Sequence, residues 1–221
     1  IMQNRYMMME VLGEGTFGKV IKCYDLHRAC FVALKMIKNV RKYKDAAKLE
    51  INVLTKLTKY DPRGRNLCVA MLDWFDFHGH MCIAFEMFGL SVFEFLKANA
   101  YQPYPIEHVR QIAYDLCYSV NFLHRNRITH TDLKPENIFL TRDKKLKIGD
   151  FGVAKGLNKT SGLASTFAGT AVYIAPEVHG GDKYNSMADV WSLGVVIFEI
   201  ITLKKPFHGK DFFQAICKEL L

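Results

Sequence analysis

The character of the chain changes once, near residue 88, and that change constrains the fold more than any other feature. Before it, short runs with the apolar, β-branched and aromatic content of strands lie at 6–12, 19–25, 31–37, 68–75 and 81–86. One segment interrupts them: over 44–59, Ala47, Ile51, Leu54 and Leu57 recur at helical spacing. After residue 88 helical patterns take over. Residues 106–124 place Val109, Ile112, Ala113, Leu116, Val120 and Leu123 on one stripe, and residues 187–202 are apolar nearly all round, as in a buried helix. The pattern predicts an α+β chain of two lobes, a β-rich small one over 1–88 and a larger, mostly α one over 89–221.

Composition narrows the class. Half of the 221 residues are hydrophobic, enough to bury a substantial core. The longest apolar run, near 190–203, is interrupted by Ser192 and Glu199, so no segment is expected to span a bilayer. The first residues lack the pattern of a secretory signal, and a start at Ile1 reads as that of a fragment. Six cysteines lie scattered without a Cys-x-x-Cys pair, which predicts reduced thiols and a nuclear or cytoplasmic protein. The net charge of +8 is spread along the chain, which argues against a dedicated nucleic-acid surface. Oligomeric state is not legible.

Three motifs carry chemistry. Gly13-Glu14-Gly15-Thr16-Phe17-Gly18 lies between two β-patterned runs, where glycines let backbone N–H groups approach phosphate oxygens. A plain β-hairpin rich in glycine reads equally well on this segment alone. A dinucleotide fold would need a helix directly after it, and residues 20–24 read as strand. Next, Lys35 sits on an otherwise apolar strand, where an ammonium is costly without an anion. Glu50, flanked by Leu49 and Ile51, could pair with it and aim it at phosphate; a surface lysine and a surface glutamate are the bland alternative. The third motif is the most specific: His130-Thr131-Asp132-Leu133-Lys134-Pro135-Glu136-Asn137, a short strand, then Gly149-Asp150-Phe151-Gly152. Phosphoryl transfer needs positioning and charge stabilisation more than covalent help. Asp132 suits the acceptor of a hydroxyl proton, Lys134 a contact to the transferred group, and Asn137 with Asp150 a hard cation that keeps several waters.

These segments, with Ala175-Pro176-Glu177 and Asp189-Val190-Trp191-Ser192-Leu193-Gly194 in order, resemble the eukaryotic protein kinases over the whole chain. The resemblance implies the bilobal protein kinase-like fold, ATP and Mg²⁺ as cofactors, and Ser/Thr-containing protein substrates, without a nucleic-acid or membrane partner. It implies that Leu12, Gly13, Gly15, Gly18, Val20, Ala33, Lys35, Phe85, Glu86, Phe88 and Phe139 bind the nucleotide, Phe85 as gatekeeper and Glu86 and Phe88 through hinge backbone. A motif-bearing chain that binds nucleotide with little turnover, as a scaffold, is the alternative.

Within the family, residues 10–137 resemble the CDC-like (LAMMER) kinases, notably Ile37-Lys38-Asn39-Val40, Leu49-Glu50-Ile51-Asn52 and Phe77-His78-Gly79-His80. Residues 137–221 resemble the NIMA-related kinases, as in Ile138-Phe139-Leu140-Thr141 and Gly169-Thr170-Ala171-Val172-Tyr173. The CDC-like resemblance implies dual specificity and Ser/Arg-rich splicing factors as substrates. Three departures stand against it: a hairpin insertion before Asp150 is missing, the family's signature octapeptide is replaced over 211–220, and the chain stops soon after Phe207. Glu177 is expected to lack its usual arginine, with a cost in stability. Thr131 stands where many kinases carry an arginine that grips a phosphate, so phosphorylation of Thr160, Ser165 or Thr166 is expected to matter less than usual. Thr170 is expected to line the site for the residue after the target hydroxyl.

Overall fold

Strand pairing in the first part of the chain follows the alternation of its side chains. A computed structural model describes residues 1–141, 143, 145–152, 155–156, 171–179 and 185–207. Thr160, Ser165, Thr166, Thr170 and the segment 211–220 lie outside the described residues. The chain forms two compact units, Ile1–Gly89 with Phe151–Val153, and Leu90–Asp150 with the residues from Ala154 on.

The first unit is a five-stranded antiparallel sheet with one helix. The strands are β1 (Tyr6–Glu14), β2 (Gly18–Asp25), β3 (Cys30–Ile37), β4 (Met71–Phe77) and β5 (His80–Glu86), in the order β1-β2-β3-β5-β4. Opposite residues share a face and successive residues alternate. Val32 and Leu34 therefore join Ile21, Cys23, Cys82 and Ala84 in a core completed by Met2 and Tyr6. The helix α1 (Arg41–Tyr60) buries Ala47, Ile51, Leu54 and Leu57, the stripe expected from sequence. It begins three residues earlier than its periodicity indicates; its first turn has no side-chain cap and no acidic residue, so none of the usual sequence signals marks that start. The run at 68–75 is corrected: β4 starts at Met71, while Cys68 and Val69 are buried in irregular chain. Apolar content there reflects burial, not strand pairing.

The second unit begins with α2 (Val92–Ala98), which the periodicity did not show. Its start is fixed by a capping box, Ser91 accepting from the Glu94 N–H while the Glu94 carboxylate accepts from the Ser91 N–H. The long α3 (Ile106–Arg125) buries Val109, Ile112, Leu116, Val120 and Leu123, with Ala113 at its edge. Short pieces follow: β6 (Ile128–Thr129), β7 (Ile138–Leu140), β8 (Leu146–Ile148) and β9 (Lys155–Gly156), with β6 paired to β9 and β7 to β8. After α4 (Pro176–His179) comes α5 (Ser186–Thr202), capped by the Asn185 side chain and ended by Leu203 in a left-handed conformation. The expectation of a helix buried all round is corrected. Ala188, Leu193, Val196 and Ile200 are buried, but Met187, Val190, Phe198 and Ile201 stay exposed, because α3, β6 and the turn Ala171–Tyr173 cover only one side. No helix among the described residues is long and apolar enough to cross a membrane.

Candidate active site

The site residues expected from sequence fall into two clusters, one in each unit. In the first, β3 lies between β2 and β5, with Lys35 opposite Val20 and Ile83, and Ala33 opposite Phe85. Val20, Ala33, Lys35 and Phe85 thus share the face opposite the Val32–Leu34 core. Glu50, near the middle of α1, meets Lys35 there: Nζ lies 2.8 Å from Oε1 and 2.9 Å from Oε2. Glu50 is buried at 2 % exposure, so its charge is tolerable only because it is paired. Lys35 keeps some contact with solvent, which leaves its ammonium able to reach an anion.

The three glycines between β1 and β2 have different physical reasons. A Cβ on Gly18 would overlap the Met36 carbonyl oxygen, so packing alone demands glycine. Around Gly13 and Gly15 a Cβ would meet nothing of the chain within 4 Å. No internal contact requires glycine at those two positions, which suits close backbone approach by a phosphate. The turn is closed by Gly15 N–H donating to Gly18 O at 2.8 Å. Leu12 sits at a register shift of β1 and is exposed. Glu86 ends β5 and Phe88 follows it. Phe139 belongs to the second unit, on β7, bridged to Ser91.

In the second unit the loop between β6 and β7 gathers Asp132, Lys134 and Asn137. Asp132 Oδ2 accepts from Lys134 Nζ at 2.8 Å and from Asn137 Nδ2 at 3.0 Å. Asn137 Nδ2 also donates to the Asp132 carbonyl at 2.8 Å. Both partners are acceptors, so the amide nitrogen must face Asp132 and Oδ1 faces away, as an oxygen ligand to a cation would. Asn137 O accepts from Gly149 N–H at 2.9 Å, which sets the position of Asp150, a residue with φ 58°. The donors fit a hard cation: one amide oxygen, one carboxylate, and coordination left to water and phosphate. No group of three or more His, Cys, Asp or Glu among the described residues could hold a metal.

The residue that organises this loop is one to which sequence reasoning gave no role. Asp189, on the first turn of α5 and fully buried, accepts from His130 N–H at 2.8 Å, from Thr131 N–H at 2.9 Å and from His124 Nε2 at 2.8 Å. Thr131 has φ 70°, a conformation that a β-branched residue adopts only under restraint. The Asp189 carboxylate supplies that restraint, at a helix N-terminus where negative charge is favoured. His130, also fully buried, accepts from Asp132 N–H at Nδ1 and donates from Nε2 to Gly149 O at 2.9 Å. It joins the loop of Asp132 to the segment of Asp150. A fully apolar setting for an aspartate, Ala188-Asp189-Val190, was the signal in the sequence.

Two other features bear on the expectations. Burial pushes the Cys23 thiol up to about 11 and the Cys82 thiol up to about 12, so both are core thiols and not reactive thiolates. Glu177 lies in the first turn of α4.

Comparison with known proteins shows the family of the chain. The protein kinase domain profile covers residues 6–221. The chain is 49 % identical over 233 residues to the Drosophila melanogaster serine/threonine-protein kinase Doa, covering 96 % of this chain and 28 % of Doa. It is 50 % identical over 218 residues to the human dual specificity protein kinase CLK2, covering 90 % and 43 %. The probable dual specificity protein kinase madd-3 of Caenorhabditis elegans is 44 % identical, covering 96 % of this chain and 25 % of madd-3. The chain therefore spans less than half the length of these relatives. Likeness to CDC-like kinases runs well beyond residue 137. The alignment with Doa is longer than this chain's 221 residues, so Doa carries residues that this chain lacks. Among solved structures, the crystallised kinase domain PF14_0431 superposes with a TM-score of 0.87 at 28 % identity, covering 96 % of this chain and 69 % of that one. The chain belongs to the protein kinase domain family, whose members use ATP and a divalent metal to act on protein substrates.

Proposed function

We propose that this chain transfers the γ-phosphate of ATP to Ser and Thr hydroxyls of protein substrates, with tyrosine accepted as well. The observation that carries this is the Asp132 carboxylate, held by Lys134 at 2.8 Å and Asn137 at 3.0 Å. In this reading Asp132 orients the substrate hydroxyl and takes its proton, and Lys134 balances charge on the transferred group. Lys35, fixed by Glu50, binds phosphate oxygens. The backbone at Gly13, Gly15 and Gly18 covers them. In the first unit Leu12, Val20, Ala33 and Phe85 contact the base, with Glu86 and Phe88 offering backbone groups; Phe139, in the second unit, is assigned to the base by the family resemblance. Asn137 and Asp150 hold Mg²⁺, which when bound neutralises the phosphate oxygens.

The relatives' names support dual specificity. Ser/Arg-rich proteins are the substrate class that the CDC-like resemblance suggests, and nucleus or cytoplasm is the compartment that thiols at Cys23, Cys30, Cys82 and Cys117 suit. The test is incubation with radiolabelled ATP and Mg²⁺ of a Ser/Arg-rich protein and a generic basic protein, with Asp132→Asn and Lys35→Met alongside. Incorporation that both substitutions abolish, greater on the Ser/Arg-rich protein, is expected. Nucleotide binding without incorporation would replace this reading with a scaffold.

A further inference from the structure

Two of the motifs that carry the CDC-like resemblance, at 37–40 and 77–80, have no part in the phosphotransfer groups, yet they meet in the fold. His80, the first residue of β5, makes a 2.8 Å hydrogen bond from Nδ1 to the carbonyl of Ile37, the last residue of β3. A carbonyl only accepts, so the ring carries a proton on Nδ1. Next to it, Gly79 adopts φ 81°, and a Cβ there would overlap the Asn39 side-chain amide. The conformation calls for glycine, and a larger residue would also push the Asn39 side chain aside. Lys44 Nζ donates to Asn39 Oδ1 at 3.3 Å and lies 3.9 Å from Asp76.

The same connector reaches the glycine-rich turn. Lys38 N–H donates to Phe17 O at 2.9 Å, and Lys38 Nζ donates to Gly15 O at 3.1 Å. The Phe17 ring packs edge-on against Tyr43, in the first turn of α1, with centroids 5.2 Å apart. That turn has no side-chain cap and no acidic residue. With no side-chain cap, the side-chain ties at the start of α1 are Lys44 to Asn39 and the packing of Tyr43 on Phe17.

We propose that the connector 37–40, gripped by His80 and Gly79, is a positioning device: it sets the start of α1, hence the approach of Glu50 to Lys35, and couples that approach to the glycine-rich turn. His80 and Asn39 are positioning residues that act through Lys35, Glu50 and the turn. The kinetic consequence rests on the function proposed above; the effect on α1 does not.

The test uses the 221-residue chain with His80→Leu, His80→Asn and Asn39→Ala. Amide hydrogen exchange over residues 41–48 is followed by mass spectrometry, and KM is measured separately for ATP and for a peptide substrate. His80→Leu is expected to speed exchange over the first two turns of α1 and to raise KM for ATP about fivefold, the scale of one lost hydrogen bond, with KM for peptide unchanged. In His80→Asn the side-chain amide can take the place of Nδ1–H, and both values return toward those of the unmodified chain. Asn39→Ala gives a smaller change of the same kind, and it carries the test if His80→Leu does not fold. Unchanged exchange over 41–48 in the folded variants, equal changes in both KM values, or no rescue by His80→Asn would overturn the proposal. If the unmodified chain transfers no phosphate, the kinase reading fails, and the exchange result alone decides whether the connector positions α1.

Discussion

The cluster at Lys35 and the cluster at Asp132 are built by opposite means. Lys35 and Glu50 sit in the middle of a regular strand and a regular helix, and they meet because sheet register and helical periodicity bring them to one face. Asp132, Lys134 and Asn137 lie on irregular chain between two short strands, with Thr131 and Asp150 both at positive φ. Regular pairing spreads the work of placement over many backbone hydrogen bonds. The loop depends instead on a few buried polar groups, foremost Asp189. The first cluster should therefore lose less than the second when a distant tie is removed.

The largest effect is expected at Asp189. Asp189→Ala leaves the His130 and Thr131 N–H groups without their acceptor in a buried site, a loss of about 3 kcal/mol in stability and nearly all phosphate transfer. Nucleotide affinity, which the proposed function assigns to the other cluster, should change little; chemical denaturation and fluorescent-nucleotide titration read the two separately. A smaller effect is expected at Arg5, whose guanidinium makes two bonds to the buried Asp25, at 2.8 and 2.7 Å. Arg5→Met should cost about 2 kcal/mol, since Arg28 and two backbone N–H groups still face Asp25, and should leave ATP affinity unchanged.

The same pair gives a pH dependence with a definite sign. The Arg5 guanidinium, more than the His27 N–H, holds the Asp25 carboxyl below its ordinary range against the opposing effect of burial. Its stabilisation is thus full above about pH 4, the unfolded value, and is lost as pH falls further. Acid unfolding followed from pH 6 to pH 2 should be shallower in Asp25→Asn. The smallest contrast lies between two glycines. Gly18→Ala forces a shift at the Met36 carbonyl and should cost at least about 1 kcal/mol, whereas Gly15→Ala should change stability by less than about 0.5 kcal/mol and act only on ATP affinity.

What the sequence made legible follows the same division. The stripe Ala47, Ile51, Leu54 and Leu57 announced α1 because burial on one face imposes a period. The start of α1 was not legible, because its first turn carries neither a side-chain cap nor an acidic residue. Apolar chain at Cys68 and Val69 looked like strand because burial and pairing leave similar composition. α2 was missed although Ser91-Val92-Phe93-Glu94 is a capping box, since a helix of seven residues shows too little periodicity. The loop of Asp132 was read by motif alone. Its backbone conformation, and the part of Asp189 in holding it, depend on contacts across about 60 positions that no local pattern contains.

The most direct test separates binding from transfer. ATP affinity and phosphate transfer are measured side by side on the unmodified chain, Asp132→Asn and Glu50→Gln. Asp132→Asn should bind ATP like the unmodified chain and lose about 1,000-fold in transfer, as expected for removal of a positioned proton acceptor. Glu50→Gln, which releases Lys35, should weaken ATP binding about tenfold and reduce transfer with it. If Asp132→Asn transferred phosphate at an undiminished rate, or lost ATP binding as Glu50→Gln does, the division of labour between the two clusters would be contradicted.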